Sequence, residues 1–287
     1  MGEILRLRED YHKRLCEHIC GYRPGTKNLN ISDTGNQLSK DVSQRMVSKF
    51  GIKISEKDVS PQRIGQQFAE ITKEFVEKAF EMLGHLRPGV WHFSTSQATQ
   101  GIAAFEQYAH LSDVQRILND NPELKTALGG DYLITPDVIV AREAEPDERI
   151  NENQKLVDVE EDVVCYSPLR RVNVPQSPLI LHASISCKWT IRSDRAQNTR
   201  TEALNLIRNR KGNTPHIVAV TFEPLPGRLS SLALGTGDLD CMYHVALPEL
   251  QEAIRETRSE DHIEQIETLV NGRRLRDMSD LPVDLAI

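Results

Sequence analysis

The chain has 287 residues, 39% hydrophobic and 27% charged, the make-up of a globular protein long enough to bury a core without disulfide staples. No apolar stretch approaches membrane-spanning length, the first ten residues lack a cleavable-signal pattern, and Arg6 breaks the myristoylation motif that Met1-Gly2 would open, so a cytoplasmic protein without a membrane partner is expected. The net charge of −7 argues by itself against a nucleic-acid partner, and five cysteines at irregular positions argue against a disulfide framework.

Leu5, Tyr11, Leu15 and Ile19 recur at helical spacing and predict a first helix over 3–20. Cys16, His18 and Cys20 fall within it; no second ligand pair at zinc spacing follows, so they read as packed side chains. Residues 21–36, rich in Gly, Pro, Asn, Asp and Thr, form a loop. A helix is expected over 39–50 and, after a break at Ser60-Pro61-Gln62, a long one over 65–83. Its apolar stripe is Phe68, Ile71, Phe75, Ala79 and Met82, with Glu70, Glu74, Glu77 and Glu81 as a solvated acidic stripe opposite. Helical patterns continue over 101–128 and stop at Gly129-Gly130. The apolar run 132–140 then reads as a buried strand interrupted by Pro136-Asp137. A polar, Pro-punctuated excursion over 141–178 leads to a strand over 179–188 and a helix over 196–210. Strands over 216–222, 229–234 and 242–247 follow, then helices over 248–258 and 262–269. This order predicts an α/β protein with a mixed central sheet flanked by helices. With no internal repeat, low-complexity tract or evident linker, residues 1–287 read as a single domain.

Two short motifs carry chemistry. A carboxylate inside an apolar strand needs a partner, and a proline there marks an edge or opening of the sheet, so Asp137 after Pro136 is a candidate metal ligand. On the strand ending at Lys188, Ser186 and Lys188 share one face and Cys187 points to the other. A lysine beside a metal-bound phosphate can offset its charge and steady an attacking water, while magnesium needs only one or two carboxylates besides substrate oxygens. In the common nuclease form of such a site an acid stands two positions before the lysine. Here Ser186 occupies that position, so the acid must come from elsewhere, and Glu202 on the following helix can reach back. Despite the acidic whole, residues 188–211 carry seven positive groups against Asp194 and Glu202, a net of +5 and a local footprint for phosphate. Gly235-Thr236-Gly237 has no following Walker lysine and reads as a tight turn.

The run 184–198 together with Arg200, Thr201, Glu202 and Asn205 closely resembles the CCGG-recognising type II restriction endonucleases, a family with the PD-(D/E)XK nuclease fold. Further matching stretches lie at 121–124, 135–140, 208–212, 233–237 and 277–285, so the similarity spans most of the chain. That resemblance implies a restriction-endonuclease-like core in which Asp137, Lys188 and Glu202 are catalytic and Ser186 and Cys187 contribute to the metal site. The metal implied is Mg2+, two ions per active site, held by Asp137, Cys187 and Glu202. A further assisting acid on the long early helix would be Glu70, with Glu74 as the alternative. Arg192, Asp194 and Arg195 are similar to the family's reading head for CCGG, and the chemistry agrees, since arginine bonds guanine N7 and O6 while aspartate accepts from cytosine N4. The alternative is helix capping by Ser193 or Asp194 with solvated arginines.

Arg228 and Asp33 resemble readers of an outer G·C pair and Gln62 a minor-groove contact, implying the site GCCGGC; at Asp33 an ordinary Asn/Gly turn fits equally well. The resemblance implies duplex DNA as partner and a tetramer built as a dimer of dimers, with no small-molecule substrate beyond water and metal. The rivals are a structure-specific repair or recombination nuclease, for which a base-reading acid in a basic stripe has no use, and a non-catalytic DNA-binding protein. Retention of Asp137, Lys188 and Glu202 together speaks against the second.

Overall fold

The computed structural model describes residues 1–95, 101–123, 135–161, 163–170, 178–235 and 237–287; the side chains of 115 and 193–195 lie outside the description. The predicted stop at Gly129-Gly130, the stretch 132–134 of the expected strand, Thr236 and parts of the 141–178 excursion fall outside the described residues.

In chain order the elements are α1 (Glu3–His18), α2 (Gln37–Ser48), α3 (Pro61–Glu81), β1 (Trp91–Ser94), α4 (Leu111–Asp120), β2 (Val138–Arg142) and α5 (Asp147–Ile150). Then come β3 (Ile180–Lys188), α6 (Ser193–Asn209), β4 (His216–Thr221), α7 (Pro226–Ala233), β5 (Cys241–His244), α8 (Leu247–Thr257), α9 (Glu260–Asn271), β6 (Leu275–Asp277) and α10 (Leu281–Asp284). The six strands form one mixed sheet in sequential order. β1, β2 and β3 pair antiparallel, whereas β3 to β6 run parallel. Each parallel step needs a crossover, and α6, α7 and the α8–α9 pair supply them in turn.

That requirement corrects the expected strand over 229–234. The segment is helical, with Ser230 O accepting from Leu234 N, and Pro226 occupies its first turn, where the missing N–H costs nothing. A short apolar run does not by itself distinguish a strand from a buried helix. The supposed break at Ser60-Pro61 is likewise a helix start: the Ser60 hydroxyl caps Arg63 N and Pro61 opens α3. Along α3, Phe68, Ile71, Phe75 and Ala79 are buried as expected, but Met82 is 47% exposed, and on α1 Leu5 is 44% exposed while Tyr11, Leu15 and Ile19 are buried. Within the helical patterns expected over 101–128, residues 102–104 and 106–108 form single 3-10 turns and Leu111–Asp120 is the α-helix.

Side chains alternate along β3, and this sets the layers. Cys187 faces Thr72 of α3, and the Thr72 hydroxyl lies 2.9 Å from Tyr11 Oη of α1. Lys188 faces the opposite layer, where Glu202 of α6 stands. At the C-terminal end of the sheet, Arg8 binds Glu249 (2.8 and 2.6 Å) and Asp277 (2.8 and 2.9 Å), tying α1 to α8 and β6. Cys16 and Cys20 are buried and His18 is exposed, so these residues do not converge as metal ligands. Among the described residues no helix is long and apolar enough to cross a membrane.

Candidate active site

Asp137 stands one residue ahead of β2 rather than within a strand. The antiparallel register pairs Val138 with Ile185, so the next step brings Asp137 beside Ser186 at the open end of the β2–β3 ladder. Its Oδ2 accepts from Cys187 N (2.8 Å) and from Lys188 Nζ (2.9 Å). Burial alone would lower the Lys188 ammonium, but Asp137 and Glu202 outweigh it and raise it above the ordinary lysine value. Burial pushes the Glu202 carboxyl up, and Asp137 adds to this against the pull of Lys188. One cation therefore stands among two anions, leaving an excess negative charge that favours a further cation.

These groups line one end of a cleft of about 820 Å³. Its other walls come from the 23–34 loop, the start of α3, the Trp189–Arg192 segment and α7, so Asp33, Arg192 and Arg228 border the same space as Asp137, Lys188 and Glu202. Arg192 is the exposed N-cap of α6, with Asp194 and Arg195 in its first turn, their side chains outside the described residues. Arg228 is ion-paired with Asp33. Bonds from Gly35 N and then Arg228 hold the Asp33 carboxyl below its usual range, and the Asp33–Gly35 contact at 3.0 Å is that of the turn which stood as the alternative reading there. Gln62 is exposed in the first turn of α3, next to the cleft-lining Pro61.

Other expected residues stand apart. Ser186 is buried, and its hydroxyl has no hydrogen-bond partner among the described residues. The Cys187 thiol lies on the far face, where burial pushes it well up, so only the main chain of this residue meets Asp137. Glu70 is outside the cleft wall, bonded to Lys73 (2.8 Å) and Thr95 (2.8 Å), which hold its carboxyl below the usual value. Thr95 follows β1 directly, and one further step of the β1–β2 register would set it opposite Val138, so Glu70 sits one strand away from Asp137. Glu74 pairs with Arg14 at 2.7 Å.

The sequence reading missed Glu223. This carboxylate, two residues beyond β4, is 0% exposed. Its Oε2 accepts from Ile191 N (2.8 Å) and its Oε1 from Leu225 N (3.1 Å), with Arg228 Nη1 3.7 Å from Oε2. An acid directly after the apolar run 217–222 was the available signal.

A family model described as NgoMIV restriction enzyme matches residues 11–287. The type II restriction enzyme NgoMIV of Neisseria gonorrhoeae is 46% identical over 285 residues, covering 98% of this chain and 97% of that protein. A solved complex of the restriction endonuclease PspGI with substrate DNA aligns over 88% of this chain and 95% of that one at 14% identity; its TM-score of 0.26 is too low to carry an argument.

Proposed function

Because the chain belongs to the NgoMIV restriction enzyme family and is a type II restriction endonuclease, we propose that it cleaves duplex DNA at the palindrome GCCGGC, before the first C of each strand, leaving 5′ overhangs. The observation that carries this reading is the shared cleft: Asp137, Lys188 and Glu202 border the same space as Arg192, Asp33 and Arg228.

The donor set fits magnesium. Two carboxylates, Asp137 and Glu202, border the cleft beside Lys188, an oxygen donor set that suits a cation which keeps several waters and takes phosphate oxygens. Asp137 and Glu202 would hold the ions, two per active site, the main chain at Cys187 adjoining them. Bound divalent metal supplies charge compensation at the phosphate and an acidified water. Asp137 is held in orientation by Cys187 N and Lys188 Nζ. Lys188, kept protonated by its two acidic neighbours, places positive charge against the phosphate and hydrogen-bonds the attacking water. Glu202 must lose its proton before it can hold a cation, and its raised carboxyl makes that loss pH-sensitive.

Arg192, Asp194 and Arg195, opening α6, would read CCGG in the major groove, with Arg228 and Asp33 on the outer pair and Gln62 toward the minor groove. Glu70, kept ionised by its ion pair with Lys73 and the hydrogen bond from Thr95 next to the sheet opening, is the assisting acid in this reading. A two-fold site calls for a symmetric protein, and a dimer of dimers engaging two sites is supported by exposed apolar side chains in the 141–178 excursion: Leu156, Val159, Val163, Val164 and Tyr166, the last 99% exposed. Digesting a plasmid of known sequence with magnesium and mapping the fragment ends tests the specificity. Ends at GCCGGC alone are expected; ends at CCGG with other flanks refute the outer-pair assignment.

A further inference from the structure

Glu223 is a fully buried acid with no place in the chemistry at Asp137. Isolated burial of such a charge costs several kcal/mol, so its partners must justify it. Those partners come from two different parts of the cleft wall. Ile191 N immediately precedes Arg192, the N-cap of α6, and Leu225 N immediately precedes α7, which carries Arg228. Each carboxylate oxygen thus holds one of the two segments, and Oε2 also stands 3.7 Å from the Arg228 guanidinium, whose other side is paired with Asp33. The backbone of Glu223 is itself anchored, its N–H donating to Thr221 Oγ1 (3.2 Å) and its carbonyl lying 3.1 Å from His244 Nε2.

We propose that Glu223 is a positioning residue for base recognition, its carboxylate setting the spacing between the Arg192 segment and α7 and, together with Asp33, aiming Arg228 at the outer base pair. This rests on the base-reading roles proposed above for Arg192 and Arg228. It goes further in making discrimination at the outer pair depend on a residue that never touches DNA. Two charged groups face the carboxyl, Arg228 on α7 and Asp33 on the loop before α2, while His244 on β5, whose imidazole burial lowers to about 4, meets the Glu223 carbonyl. Burial pushes the Glu223 carboxyl up to about 7 against the pull of Ile191 N, Arg228 and Leu225 N. Near neutral pH it therefore passes between a charged form that attracts Arg228 and a neutral form that does not.

The test uses the full-length protein, Glu223→Gln and Arg228→Ala. It measures kcat/KM on duplex oligonucleotides carrying GCCGGC, CCGG with each other outer pair, and the outer G·C pair with one inner pair substituted. Glu223→Gln should lose roughly tenfold or more of the discrimination at the outer pair, the scale of one arginine–guanine contact, and keep it at the inner pairs. In the wild type the outer-pair ratio should fall as pH drops from 8.5 to 6, whereas in Glu223→Gln it should stay flat. A purely structural role predicts an equal loss at all sites, and that result overturns the proposal, as does a wild-type ratio that is flat with pH. If Arg228→Ala relaxes the outer pair and Glu223→Gln does not, the positioning role alone fails. If Arg228→Ala keeps full discrimination, the base-reading assignment of Arg228 fails and takes the positioning role with it.

Discussion

Glu223→Gln also yields a stability prediction whose size follows from its surroundings. In the unfolded chain this carboxyl titrates near 4.5, and in the folded protein burial moves it to about 7. Between those values the folded state binds more protons than the unfolded one, so the contribution of Glu223 to stability is fully present below pH 4.5 and is lost as pH rises through 7. At about 1.4 kcal/mol per tenfold change in proton affinity, the whole interval is worth on the order of 3 kcal/mol, of which about 2.5 falls between pH 5 and pH 8. Glutamine keeps the side-chain shape but does not titrate. Whatever fixed amount the amide loses in hydrogen bonding to Ile191 N or Leu225 N, the stability of Glu223→Gln relative to wild type should rise by roughly 2–3 kcal/mol from pH 5 to pH 8. Urea unfolding followed by circular dichroism at pH 5, 6, 7 and 8 measures this difference. Protein concentration is held fixed, since any self-association would contribute to apparent stability. A difference that stays constant with pH within about 0.5 kcal/mol refutes the reasoning, since every other titrating group cancels in the comparison.

Asp137→Ala should lower cleavage by a factor on the order of 1,000 or more while specific binding in a gel-shift assay survives, because the role proposed for the side chain is to hold metal and water rather than bases; persistent cutting contradicts the metal-site reading. At limiting magnesium, cleavage should weaken as acid protonates Glu202, whose carboxyl burial raises, and Glu202→Gln should remove activity at every pH; a Gln variant that cuts like wild type refutes its role. Asp194→Asn should reduce discrimination against a substituted inner cytosine by about 1–3 kcal/mol in rates on matched duplexes, with little change at the outer pair. For the proposed tetramer, joint replacement of Val159 and Tyr166 by serine should give a smaller species than wild type in sedimentation velocity, and unchanged sedimentation removes the excursion from the proposed interface.

Much of the site was readable because strand geometry is local. The period-two alternation of β3 already separated Cys187 from Lys188, and the structure sends the thiol to Thr72 and the ammonium to Asp137. The nearness of Glu202 to Lys188 was legible too, since the two stand on a strand and the helix directly after it. By contrast, 229–234 offered only a short apolar run, and what made it a helix was the parallel pairing of β4 with β5, a fact about distant residues. Glu70 and Glu74 looked alike as members of one solvated stripe. Their surroundings differ because α3 lies between α1 and the sheet, giving Arg14 to Glu74 and Thr95 to Glu70.

The sequence by itself determined the family, the α/β alternation and the types of side chain available for the chemistry, because residue identity and near-neighbour spacing are written along the chain. Only the tertiary structure decided which carboxylates share a cleft and which one is buried. Asp33 and Arg228 are 195 positions apart and Glu223 lies 32 positions from Ile191, yet all four meet at one wall. The physical reason is that proton affinity and partner choice depend on the dielectric and on groups brought near by folding. Glu223 thus reads along the chain as one more surface acid and in the fold stands buried behind the cleft wall that carries Arg192 and Arg228.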